Sequence, residues 1–65
     1  MFDFIQALKE AYAEEEKDSD KYIRIAQSVA NDEDRKMLIE MAKQELVHKA
    51  KIENILLGYG EVMAK

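Results

Sequence analysis

The only histidine of the chain, His48, follows Glu45 by three residues. On a helix, positions i and i+3 project side by side from consecutive turns, so this carboxylate and imidazole would share one patch. Burying such a pair on an apolar face is costly unless a partner satisfies it. A transition-metal ion does so. Oxygen-rich sets with an imidazole suit Fe(II) or Mn(II), with Zn(II) as a substitute. A third carboxylate, Glu15, holds the corresponding place in the first half of the chain, and the expected metal ligands are therefore Glu15, Glu45 and His48.

Each of these residues also has an ordinary reading. His48 could be a histidine hydrogen-bonded to a neighbouring carboxylate, and Glu45 could pair with Lys49 at i+4. Glu15 sits in the acidic run Glu14-Glu15-Glu16-Lys17-Asp18-Ser19-Asp20. Helical phase separates it from that run, because Glu14 and Glu16 turn about 100° to either side while Glu15 falls on the apolar stripe. Asp18 flanks the stripe, either as an acceptor behind the ligands or an entry carboxylate, or simply as a solvated charge. Tyr22 reads first as a core aromatic whose hydroxyl could reach the same layer.

Two elements must position these groups. Pro is absent and the only glycines are Gly58 and Gly60, so the polar cluster Asn31-Asp32-Glu33-Asp34 is the one strong interruption before them. The pattern predicts an all-α hairpin: helix one over about 4–30, helix two over about 32–57 and a short tail over 58–65. Asp3 is the expected N-cap of the first helix, with Gln6 in the capping-box position. Its stripe runs Phe4, Leu8, Ala11, Tyr12, Tyr22, Ile23, Ala26 and Val29, interrupted by Glu15, Asp18 and Ser19. Asn31 is the expected cap of the second helix, followed by three acids suited to its positive end. That stripe runs Leu38, Met41, Ala42, Ile52, Ile55 and Leu56, interrupted by Glu45 and His48. Gly58 is the expected left-handed stop, and the tail beyond it either frays or opens a short further helix.

Hairpin geometry relates the two interruptions. With a turn near residues 30–31, Glu15 lies about 15 residues before it and Glu45 and His48 about 15 to 17 after it. At about 1.5 Å rise per residue they share one level. A lone hairpin leaves a wide apolar face open, which a homodimer or higher homo-oligomer covers by forming a four-helix bundle. Two copies would bring four carboxylates and two imidazoles into one layer, enough for two metal ions.

Composition narrows the alternatives. Without Cys there are no disulfides, iron–sulfur clusters or thiolate zinc sites. Net charge is −4 and the Lys and Arg residues are dispersed among acids, which argues against nucleic-acid binding. No apolar run approaches the ~20 residues of a membrane span. Met1-Phe2-Asp3-Phe4 does not open a secretion signal, so a cytoplasmic location is expected. At 48% hydrophobic and 37% charged, the chain has the composition of an amphipathic helical protein.

Two blocks resemble the ferritin-like superfamily, especially rubrerythrins and encapsulated ferritins. The first is Ala13-Glu14-Glu15-Glu16-Lys17 with Tyr22 seven residues after Glu15; the second is Met41-Ala42-Lys43-Gln44-Glu45-Leu46-Val47-His48. The resemblance covers about residues 5–57. It implies a half-bundle that dimerises into a ferritin-like four-helix bundle, with a di-iron centre shared between two subunits. It also implies a ferroxidase-type activity toward Fe(II), serving iron storage or oxidative-stress handling, and an encapsulating shell protein as a further partner. The alternative from the residues alone is a non-catalytic metal-binding or structural helical-hairpin module that drives oligomerisation.

Overall fold

A computed structural model describes residues 2–62. They form an antiparallel pair of long helices, α1 (Phe4–Ser28) and α2 (Asp32–Gly58). The molecule is a rod of 45 × 20 × 19 Å, consistent with a 27-residue helix rising about 1.5 Å per residue.

Both predicted N-caps are made. The Asp3 carboxylate accepts from the Gln6 backbone N–H at 3.1 Å, and the Asn31 side chain accepts from that of Asp34 at 3.0 Å. Each satisfies one of the donors that a helix start leaves open. Asp32, Glu33 and Asp34 fill the first turn of α2, where negative charge meets the positive end of the helix dipole.

The first helix stops at Ser28, two residues short of the expected end. Val29 turns to an extended backbone, and its carbonyl accepts from the Arg35 guanidinium at 2.8 Å. The same guanidinium meets Asp32 at 2.6 Å, so one side chain of α2 fastens the connection to the helix that follows.

The second helix ends on Gly60, not on Gly58 as expected. Gly58 is the last helical residue, whereas Gly60 has φ +79°. The Gly60 N–H donates to Leu57 and the Glu61 N–H to Leu56, each at 3.0 Å. This is the Schellman arrangement, in which a left-handed residue folds two later N–H groups back onto the last carbonyls. The chain then returns toward α1. Lys9 and Glu61 pair at 2.6 Å, and the Phe4 and Tyr59 rings meet edge-on with centroids 5.0 Å apart. Residues 59–62 are thus a closing cap and not a further helix; the rest of the expected tail, 63–65, lies outside the described residues.

The hairpin encloses little core. Among the described residues the buried apolar side chains are Ala26, Ala42 and Leu56, joined by the polar Ser19. Large apolar groups remain exposed along both helices, among them Ile25, Met37, Leu46, Ile55 and Leu57. Helical phase, about 100° per residue, puts Met37, Met41, Ile52 and Ile55 on the flank of α2 that carries His48. Ile25 and Asp18 share the corresponding flank of α1.

Candidate metal centre

Midway along the rod, Glu15 of α1 meets Glu45 and His48 of α2. One potential ligand atom from each lies within 4.8 Å of the other two. The two stripe interruptions therefore face each other, as hairpin counting predicts. Small residues adjoin this level on the side of the turn: Ser19 lies one turn beyond Glu15 and Ala42 one turn before Glu45, both almost fully buried.

The distances inside the cluster are informative. His48 Nδ1 stands 3.5 Å from Glu15 Oε2 and 3.9 Å from Glu45 Oε1. Both exceed the roughly 2.7–3.2 Å of a well-formed hydrogen bond. Glu15 Oε2 is shut off from solvent and has no hydrogen-bond partner among the described residues. An acceptor left in that condition is unfavourable, and the His48 nitrogen stands too far away to satisfy it. Ligand atoms held about 2.1 Å from one ion are themselves about 3 to 4.2 Å apart. The observed spacings match that range or close to it by small side-chain rotations, so the donor set fits a divalent transition metal.

Electrostatics agree with the geometry. The close approach of the Glu15 side chain holds the Glu45 carboxyl above its ordinary 4.5, helped by burial and by the negative charges of Glu15 and Asp18. His48 acts in the opposite direction. The two glutamates crowd each other closely enough that one favours keeping its proton, the usual state of paired carboxylates with no cation between them.

Opposite the His48 flank the layer is closed by a clamp. Lys49 Nζ pairs with Glu16 at 3.3 Å and lies 5.0 Å from the centroid of the Tyr12 ring. Burial pulls the Lys49 ammonium down, but Glu16 and Tyr12 outweigh it and hold its pKa above 10.5. Lys49 therefore pairs across the hairpin and not with Glu45 at i−4. The clamp was not foreseen in the sequence; the spacing of Tyr12 and Glu16 on one flank of α1 was its available signal. The opposite side is more open, with the His48 side chain 53% exposed.

The remaining candidates sit beside the cluster and not in it. Asp18 is half-buried on the His48 side and makes no ion pair or hydrogen bond among the described residues. Tyr22 is half-buried, and its hydroxyl makes no hydrogen bond among the described residues.

In comparisons with protein-family models, with curated proteins and with solved structures, this chain matches none.

Proposed function

We propose that this chain is a ferritin-like metal-carboxylate protein that binds and oxidises Fe(II) at a site completed between two subunits. The observation that carries the reading is the convergence of Glu15, Glu45 and His48 around a buried, unpartnered carboxylate oxygen. Glu15 and Glu45 would supply two negative charges and His48 a neutral nitrogen, leaving positions open on the exposed side. Iron held there supplies redox chemistry with dioxygen or peroxide. The residues of the chain hold the ion, offset its charge and keep its level in the bundle. Mn(II) or Zn(II) could occupy the same donors.

Dimerisation is supported by what a single hairpin leaves uncovered. Met37 is 63% exposed and Ile55 48% exposed on the flank that carries His48, and the site opens there. A second copy laid on that flank would cover the apolar residues and add its own Glu15, Glu45 and His48 to one layer.

Oxygen consumption on adding Fe(II) tests the activity. Wild type should consume oxygen in proportion to iron, and Glu45→Ala should lower the rate by at least about tenfold, as expected for losing a ligand at a metal centre. Equal rates would sink the ferroxidase assignment. A second reading, a hairpin whose bundle does no chemistry, draws on the exposure of His48. Elemental analysis separates the two: no stoichiometric metal, together with stability unchanged by His48→Ala, would favour the structural module.

A further inference from the structure

We infer that Lys49 and Glu16 are positioning residues of the candidate centre: their ion pair straps α2 to α1 at the level of the ligands and fixes how far apart those ligands stand. The inference rests on the metal-binding reading above.

The strap is anchored directly beside the ligands. Lys49 follows His48 on α2 and Glu16 follows Glu15 on α1, and Lys49 Nζ crosses to the Glu16 carboxylate at 3.3 Å. Tyr12 gives it a second hold. It precedes Glu16 by four residues, a spacing that shares one patch of a helix, and Lys49 Nζ lies 5.0 Å from the centroid of its ring. The Lys49 side chain is only 24% exposed, so it lies along the seam between the helices and not out in solvent.

Little else sets the separation at this level. The buried neighbours on the turn side are Ser19 and Ala42, too small to fix a spacing by interdigitation. Outside the cluster, the other ion pair among the described residues that ties α1 to the second half of the chain is Lys9 with Glu61. It lies nearly two turns from Glu15. Inside the cluster, His48 and Glu15 come no closer than 3.5 Å, longer than a well-formed hydrogen bond. An ion binds all three donors only if they stay within about 4.2 Å of one another, so a looser seam takes a ligand out of reach.

Charge and position act in opposite directions at Lys49, which makes them separable. A cation beside an anionic site repels an incoming cation, so by charge alone losing Lys49 tightens metal binding. Losing a strap weakens it.

The test titrates redox-inert Zn(II) into the full chain against a competing chelator, with folding followed by circular dichroism. Lys49→Met keeps the apolar stem and removes the ammonium. It should weaken Zn(II) binding about tenfold, as loss of a partner outside the ligands does at metal sites. Combining Lys49→Glu with Glu16→Lys restores a pair at unchanged net charge and should return the affinity to within about threefold of wild type. Glu16 is 55% exposed, so Glu16→Gln carries the test if Lys49→Met does not fold. Its charge-matched comparison is Glu14→Gln, because Glu14 adjoins Glu15 on the other side, is exposed and makes no ion pair among the described residues. Glu16→Gln should weaken Zn(II) binding at least about threefold more than Glu14→Gln. Unchanged or tighter binding in folded Lys49→Met overturns the inference and leaves the metal site standing. So does a charge-exchanged protein that binds no better than Lys49→Met, or equal losses in Glu16→Gln and Glu14→Gln. Failure of wild type to bind Zn(II) overturns the metal-binding reading itself.

Discussion

Glu45 carries much of the electrostatic cost of the cluster, and that cost has a pH signature. Its carboxyl is held above the ordinary value of 4.5 by Glu15, by burial and by Asp18. The metal-free folded chain therefore binds this proton more tightly than the unfolded chain does. Stability from this group is full below pH 4.5 and is lost as pH rises through the higher folded value. Urea midpoints of metal-free protein should accordingly fall as pH is raised from 4.5 through that folded value. Glu45→Gln should flatten that fall by raising the midpoint at the alkaline end; a wild-type midpoint that climbs with pH above 4.5 while Glu45→Gln has no effect would contradict it. Metal has the opposite dependence. Ligand protons compete with the ion, so affinity should fall as pH is lowered, with protons released on binding. Calorimetry in buffers of different ionisation enthalpy measures that release.

At the scale of the element, the ends of α2 can be tested one residue at a time. Asn31→Ala removes the acceptor that satisfies the Asp34 N–H and should cost about 1 kcal/mol. The two glycines should behave oppositely. Gly60 has φ +79°, where a side chain is strained, so Gly60→Ala should destabilise by roughly 1 kcal/mol. Gly58 is helical, and a Cβ there would meet nothing within 4 Å. Gly58→Ala should then be neutral or stabilise by roughly 0.5–1 kcal/mol through helix propensity. Denaturant unfolding of the three variants checks the set. A larger loss at Gly58 than at Gly60 would mean that the helix does not end in the Schellman cap.

For the whole molecule the governing quantity is the apolar surface that one hairpin cannot cover. The three buried apolar side chains among the described residues make a poor core for a chain of 65 residues, below the size at which a single core readily suffices. Sedimentation should give at least a dimer. Met37→Glu places a charge on the His48 flank and should raise the dissociation constant at least about tenfold, weakening metal binding in step. Val47→Glu is the comparison, because Val47 is 53% exposed and helical phase turns it to the back of α2. That variant should leave both assembly and metal binding intact. Monomeric wild type with full metal affinity would refute a site shared between subunits.

Local chemistry was readable in the sequence alone. Asp3 and Asn31 cap their helices because a short polar side chain before an amphipathic run has few better uses. The single polar connection and the period of the apolar residues dictate two antiparallel helices, and counting back from the turn brings Glu15 level with Glu45 and His48. Tertiary structure decided what depends on neighbours distant in sequence. Gly60 and not Gly58 takes the left-handed cap, and Lys9 and Phe4 of α1 are there to receive Glu61 and Tyr59 on either side of it. Lys49 reaches across to Glu16 and Tyr12, which no i, i+4 rule anticipates. Likewise, a run of acids cannot reveal that one oxygen of Glu15 is sealed from water without a partner. Spacing along the chain sets which side chains share a face and a level, whereas their distances and solvation exist only once the second helix is packed against the first.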